Sequence, residues 1–249
     1  MNEIDYKGFY DQVGAINGWD FSKVNCLSEG VAWDYGSEVT RACTGTEALL
    51  DIGTGGGEQL LKIAGFVRQA VGIDNSAAMI ETARGNGRKA NQPDVAFLEM
   101  DAEALDFPDR SFQIVICRQA PFEAKEVARV LADDGVFITQ QVGGRDKINL
   151  IEAFGRGQSS GASINCLQDQ YITELNEAGF TDIRSSSYDA TEYYRSAEDL
   201  IFLLKHAPII PDFGQAEGDF EVLRQFIEDN RTERGIRTNA HRFLIVARK

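Results

Sequence analysis

The chain has 249 residues, 43% of them hydrophobic and 26% charged, with only five prolines. It can therefore bury a core and falls outside the disordered, collagen-like and low-complexity classes. Its 25 basic and 39 acidic residues give a formal net charge of −14, a field that repels phosphate backbones and anionic bilayers, so nucleic-acid and membrane partners are not expected.

No apolar run approaches the ~20 residues needed to span a bilayer. The N-terminus, MNEIDYKGFY, has neither a basic leader nor an apolar h-region. A cytoplasmic protein is the expectation. Cys26, Cys43, Cys117 and Cys166 are scattered without a CxxC pair, which predicts reduced thiols and no metal knuckle.

Taken in chain order, the first 46 residues are rich in aromatics (Tyr6, Phe9, Tyr10, Trp19, Phe21, Trp33, Tyr35) and form an arm. From Glu47 to Val142 short β-type runs alternate with helical stretches, the pattern of a parallel sheet covered by helices. Ala48 to Ile52 is the first run, and it ends in the glycine loop Gly53-Thr54-Gly55-Gly56-Gly57. Leu60, Leu61, Ile63, Ala64 and Val67 then recur at helical spacing. A second strand, Ala70 to Ile73, stops at Asp74, and Ser76 caps a helix expected to end near Asn86 and Gly87. Strands are predicted at Val95 to Met100 and Phe112 to Cys117, then a helix through Glu126 and Leu131, then a fifth strand from Val136 to Val142.

Beyond Val142, Gly143-Gly144 and the polar stretch Gly155 to Ser163 read as connections, and a helix runs from Gln168 to Ala178. A sixth strand spans Ile183 to Tyr194. Helical patterns at Ala197 to Leu204 and around Phe220 to Ile227 precede a last strand, His241 to Ala247. The expected organisation is one domain, 1–249, with an arm (1–46), a core (47–142) and a C-terminal half (143–249) that carries a helical insertion over about 196–240.

Glycines after a strand let the backbone turn sharply and approach a ligand without a Cβ. Here the loop has neither the GxxxxGK[ST] pattern nor the GxGxxG spacing, which removes the P-loop reading. Asp51, Asp74 and Asp101 end three successive strands, and in an open α/β sheet such carboxyl ends line the ligand crevice. Asp74 lies about 20 residues after the glycines, where a carboxylate holds both hydroxyls of a ribose; a helix-capping role is the alternative.

With these residues in place, LLDIGTGGGEQL, VGIDNSAAMI, FLEMDAEALDFPDRSFQIVICR and RVLADDGVFI resemble the successive motifs of the class I S-adenosylmethionine-dependent methyltransferases, small-molecule and quinone type. The resemblance covers about residues 47 to 142, and HRFLIVARK is similar to that family's closing antiparallel strand. It implies a Rossmann-like, mostly parallel seven-stranded sheet with an antiparallel last strand and helices on both faces. It also implies S-adenosyl-L-methionine as cofactor and S-adenosyl-L-homocysteine as product. By position, Asp51, Gly53, Thr54, Gly55 and Gly57 would surround the methionine portion, with Asp51 facing its ammonium. Asp74 would hold the ribose, Ile73 and Asn75 would flank ribose and adenine, Asp101 would accept from the adenine amino group, and Ala102 would supply a backbone contact. Cys117 and Arg118 sit where the fourth strand opens onto the cofactor.

Two departures bear on the acceptor. The histidine-rich stretch of many quinone-type relatives is replaced by Arg118-Gln119-Ala120-Pro121-Phe122, and no Asn-Pro-Pro-Tyr-like grip for a flipped base is present. The implied activity is methyl transfer to a small-molecule acceptor by in-line displacement, in which alignment and desolvation supply much of the rate. If a base is needed, His206, His241, Tyr193, Tyr194 and the carboxylates are the candidates, and the sequence does not choose among them. Arg231, Arg234, Arg237 and Arg242 form a basic cluster, either an anion site or a solvated face paired with Glu228, Asp229 and Glu233. Two other readings stand beside the enzyme: a non-catalytic cofactor-binding sensor or scaffold, and thiol-assisted methylation of a soft acceptor, which requires converging cysteines.

Overall fold

A computed structural model describes residues 24–158 and 166–249; Tyr6, Phe9, Tyr10, Trp19 and Phe21 of the arm lie outside them. Among the described residues nine strands form one sheet. β1 is Cys26–Glu29, β2 Ala48–Ile52, β3 Gln69–Asp74, β4 Val95–Glu99, β5 Phe112–Arg118, β6 Leu131–Val142, β7 Asp182–Tyr194, β8 Arg231–Thr232 and β9 Gly235–Arg248. The order is β1-β7-β9-β6-β5-β2-β3-β4, with β8 paired to β9. β4, β3, β2, β5 and β6 run parallel, while β9 lies antiparallel between β6 and β7. The expected seven-stranded sheet with its antiparallel last strand is therefore present. β1 extends it at the edge of β7, and the two-residue β8 forms a hairpin with β9.

The helices are α1 (Tyr35–Thr40), α2 (Glu58–Ile63), α3 (Ala77–Ala90), α4 (Ala124–Val130), α5 (Ile148–Phe154), α6 (Cys166–Glu177), α7 (Ala197–His206) and α8 (Asp219–Asn230). On one face, Val39 of α1, Leu60 and Ile63 of α2 and Ile80 and Ala83 of α3 pack on Leu49, Ile114, Ile116 and Ile138. On the other, Val127 of α4 and Tyr171 and Leu175 of α6 pack on Leu50, Ile52, Val115, Phe137 and Ile245. Covered on both faces, β2 is buried at all five residues, which explains its continuous apolar run.

Two expectations need correction, and one helix, α5, was not anticipated. α3 does not stop at Asn86 and Gly87 but continues to Ala90, ended by Asn91 in the left-handed region at φ 51°. Gly87 serves packing instead: a Cβ there would come within 3.2 Å of the Phe97 ring. The Gly143-Gly144 connection leads into α5, whose Leu150 and Ile151 are buried. The last strand begins at Gly235 rather than His241, so the helices before it occupy a shorter stretch than 196–240. Their apolar sides, Leu200, Leu204, Leu223 and Phe226, pack with Leu150, Tyr194 and Ile236 into a third cluster, beside the ends of β7 and β9.

Candidate active site

The site is built at the carboxyl ends of β2, β3 and β5, where the strand order reverses between β2 and β5 and a crevice opens. After β2 the chain turns through Gly53, Gly55 and Gly57 at φ 70°, 57° and 78°, a left-handed region that disfavours side chains. At Gly53 a Cβ would lie 2.2 Å from the Cβ of Ala120, and at Gly57 it would lie 2.7 Å from the Phe97 ring. The loop is tied to β3 by the Thr54 N–H donating to the Ile73 carbonyl at 2.8 Å, and to α3 by the Asn86 amide donating to the Gly56 carbonyl at 2.9 Å. Gly72 within β3 leaves the room that Thr54 fills, since a Cβ there would sit 2.6 Å from Thr54 Oγ1.

Asp51 is buried, 4% exposed, and accepts from the Thr54 hydroxyl at 2.8 Å. Burial pushes its carboxyl up to about 7, with the nearby Asp74 charge adding; the Thr54 hydrogen bond and the Arg118 guanidinium oppose the shift. Asp74 closes β3 and is fixed by two backbone donors, Gly55 N–H to Oδ2 and Ser76 N–H to Oδ1, each at 3.0 Å. Ser76 caps α3 through the Met79 N–H at 3.2 Å, so the cap belongs to Ser76 and Asp74 instead braces the glycine loop.

Asn75 is exposed beside Asp74. The Met100 N–H donates to the Asp74 carbonyl at 3.0 Å, which sets Asp101 beyond the end of β4, exposed, with Oδ1 accepting from Glu103 N–H at 3.0 Å. Ala102 is half-buried against the core. Cys117 is fully buried on the opposite face of β5 from Asp51's register partner Ile116. Its thiol donates to the Ala120 carbonyl at 3.2 Å, and burial pushes it up to about 12, so it is a packing group in neutral solution. The structure thus brings Asp51, the glycines, Thr54 and Asp74 together by direct contact. Asn75, Asp101 and Ala102 share the rim, and Cys117 points into the core.

The candidate bases are committed elsewhere. His241 is buried, its Nδ1 accepts from Arg145 N–H at 3.1 Å, and burial lowers its pKa. His206 stacks on Phe202 with ring centroids 4.0 Å apart. Tyr194 donates to Glu192 at 2.9 Å, and Tyr193 lies under the Arg234 guanidinium. The four-arginine cluster also dissolves: Arg234 pairs with Glu29 and Arg242 turns inward to Asp146. The cysteines sit on β1, beyond α1, on β5 and on α6, all free. Their separation removes the convergence a soft-acceptor site needs.

Two features were not legible beforehand. The first is an aromatic wall beside the crevice: Trp33 Nε1 donates to Gln140 at 2.8 Å and packs edge-on against Tyr188 at 4.5 Å, while Tyr35 donates to the Ile138 carbonyl at 3.3 Å. The second is a buried charge network in which Lys147, 2% exposed, meets Glu192 at 2.7 Å and the Asn239 carbonyl at 2.9 Å. Asp146 joins it through Arg242 and the His241 N–H.

A family model described as a methyltransferase domain matches residues 49–135. The chain is 36% identical over 106 residues to the uncharacterized methyltransferase YcgJ of Bacillus subtilis (strain 168), covering 40% of this chain and 42% of the relative. It is 40% identical over 97 residues to an uncharacterized protein of Methanocaldococcus jannaschii, covering 36% and 35%. The chain thus spans less than half the length of the curated relatives it matches. The crystal structure of YcgJ superposes with a TM-score of 0.59 at 20% identity, covering 86% of this chain and 98% of that one. A Bacillus halodurans structure gives 0.60 at 21%, covering 86% and 96%. At these identities the likeness concerns the fold. The matched stretch, residues 49–135, is thus similar to a methyltransferase domain, and the strand order and glycine loop around it agree with that likeness.

Proposed function

We propose that the protein transfers the methyl group of S-adenosyl-L-methionine to a small-molecule acceptor. The observation that carries this is the joined cradle of buried Asp51, three left-handed glycines and a doubly braced Asp74. Its chemistry suits the cofactor. A buried carboxyl whose charge is only partly compensated complements an ammonium, and the glycines leave space where side chains would stand. The fixed Asp74 carboxylate can receive a ribose diol. When bound, the cofactor supplies an activated methyl on a sulfonium. The chain's part is to hold it in line with the acceptor and exclude water.

A small molecule is favoured as acceptor because the chain's −14 charge opposes polyanions. The committed histidines and tyrosines favour an acceptor that needs no strong base from those side chains. The test is to incubate the protein with methyl-labelled cofactor and fractionated metabolite pools, and to follow S-adenosyl-L-homocysteine formation by mass spectrometry. Product formation above the buffer rate with one fraction is expected. Tight cofactor binding with no turnover in any fraction would instead support a sensor or scaffold.

A further inference from the structure

We propose that Gln140 and Tyr188 anchor the methyl acceptor, and that this acceptor is a planar, conjugated molecule presenting a carbonyl or carboxylate oxygen. This rests on the methyl-transfer reading above and deepens it by naming the chemical class of the acceptor.

The placement follows from register. Asp51 on β2 pairs with Ile116 on β5, and Arg118, two residues further on, pairs with Gln140 on β6. Gln140 pairs with Leu244 on β9, and Arg242, two residues before Leu244, pairs with Tyr188 on β7. With a side-chain period of two, Asp51, Arg118, Gln140, Arg242 and Tyr188 all leave one face of the sheet. Asp51 and Asp74 set the cofactor cradle at the ends of β2 and β3, and an in-line displacement needs the acceptor beside it. The ends of β5 and β6 adjoin the cradle on that face. Trp33 spans this stretch: its indole N–H meets Gln140, and its ring meets that of Tyr188 edge-on with centroids 4.5 Å apart. Both rings are half-buried, so each keeps open surface on which a flat molecule can pack.

What marks Gln140 and Tyr188 is unspent hydrogen-bonding capacity. Gln140 is only 5% exposed. An indole N–H can only donate, so the bond from Trp33 commits Oε1 of Gln140 and leaves both hydrogens on its Nε2. Among the described residues no group accepts from that Nε2, and the atom is not sealed off from open space. The Tyr188 hydroxyl likewise has no hydrogen-bond partner among the described residues, and burial pushes its pKa up, so it keeps its proton to donate. The charged groups around the pair offset one another. Tyr188 faces Arg242, Glu192, Arg118 and Asp146; of these, Arg242 pairs with Asp146, and Glu192 with Lys147. Arg118 lies over the Tyr35 ring and stands near Asp51 and beside Asp34, which also faces Lys62. Asp34 is itself held by the Ser37 N–H and hydroxyl, each at 2.8 Å. The capacity left over is therefore a pair of neutral donors beside an aromatic corner. An oxygen on a flat, conjugated molecule satisfies both at once, whereas an amine would bring more donors and leave them unpaired.

The experiment is a ligand-observed NMR titration of the protein saturated with S-adenosyl-L-homocysteine, using four matched probes. 4-Hydroxybenzoate and 4-hydroxyacetophenone carry both the ring and the oxygen, as carboxylate and carbonyl respectively. 4-Hydroxybenzylamine has the ring without that oxygen, and 4-hydroxycyclohexanecarboxylate has the oxygen without the flat ring. The wild type is expected to bind at least one of the first two at least ~10-fold more tightly than either control, and the tighter of the two tells carboxylate from carbonyl. Gln140→Glu keeps an oxygen for the Trp33 N–H but puts a second oxygen in place of Nε2, so the preference should collapse to within about twofold. Tyr188→Phe keeps the ring and loses the hydroxyl, and should weaken the preferred probe by about 3–10-fold. In both variants S-adenosyl-L-homocysteine affinity, measured by calorimetry, should stay within about twofold of wild type. The proposal is overturned if neither oxygen-bearing ring outbinds the controls, a wild-type result that requires no variant to fold. It is likewise overturned if both variants leave the preference intact, or if they weaken S-adenosyl-L-homocysteine as much as the probe. Failure of the wild type to bind S-adenosyl-L-homocysteine overturns the methyl-transfer reading and this proposal with it, whereas absence of the probe preference with that ligand bound overturns the acceptor assignment alone.

Discussion

Replacing Asp51 by Asn should stabilise the protein while weakening its ligand. Burial raises the Asp51 carboxyl from 3.8 to about 7. An unfolded chain ionises this group near its ordinary value, whereas the folded chain keeps its proton until about pH 7. Stability is therefore fully present below the unfolded pKa and is lost as pH rises through the folded one. About three pKa units correspond to a penalty of about 4 kcal/mol above pH 7, and about half of it is already present near pH 5.5. Asn removes the ionisation and still offers Oδ1 to the Thr54 hydroxyl that now donates to Asp51. The gain of Asp51→Asn over wild type should thus widen by about 2 kcal/mol between about pH 5.5 and 8.5, or roughly 4–8 °C in Tm for a chain of this size. Thermal denaturation by circular dichroism across that range is the assay. In parallel, S-adenosyl-L-homocysteine binding to wild type near pH 7 should release roughly half a proton, because an ammonium partner favours the ionised carboxylate. Calorimetry in buffers of different ionisation enthalpy measures it. A pH-independent gap, or a variant less stable than wild type at the alkaline end, would refute the reasoning.

Gly53→Ala forces a Cβ to 2.2 Å from Ala120 in a left-handed backbone; a loss of about 1–3 kcal/mol in stability and at least ~10-fold in cofactor affinity is expected, checked by denaturant melts and calorimetry. Thr54→Val removes the hydroxyl that lowers the Asp51 pKa, so the midpoint of pH-dependent binding should move upward, read from affinity against pH. Lys147→Met leaves Glu192 without its buried ion-pair partner, while Asp146 keeps Arg242, and should cost about 3–5 kcal/mol of stability. Because this network stands apart from the glycine cradle, S-adenosyl-L-homocysteine affinity measured well below the Tm should be unaltered.

The cradle was legible because its function is enforced on the backbone. Only glycine is comfortable at φ 57° to 78° beside Ala120 and Phe97, so the loop announces itself in the sequence. Asp51 and Asp74 were legible because each ends a strand next to that loop. The packing of Arg118 over Tyr35 was not, because it depends on Tyr35 reaching the Ile138 carbonyl of β6, a long-range contact. The arginines near the C-terminus misled for the opposite reason. Spacing suggested one basic surface, whereas alternation along β9 sends Arg242 inward to Asp146 and the β8–β9 turn carries Arg234 out to Glu29. The start of β9 was hidden by polar residues, although Ile236, Thr238 and Ala240 are buried at a strict period of two. Lys147 reads as a surface residue by type, and only the closing of β7 and β9 around it makes it internal.

The central claim is that the crevice at β2, β3 and β5 binds S-adenosyl-L-methionine through Asp51 and Asp74. It is tested most directly by calorimetric titration of S-adenosyl-L-methionine and S-adenosyl-L-homocysteine into the wild type and Asp74→Ala, with NADH and ATP as controls. Micromolar binding of both sulfur ligands is expected, weakened at least ~10-fold by the substitution through loss of charge-assisted hydrogen bonds, with no heat from the controls. Binding of NADH in place of the sulfur ligands, or full affinity retained by Asp74→Ala, would contradict it.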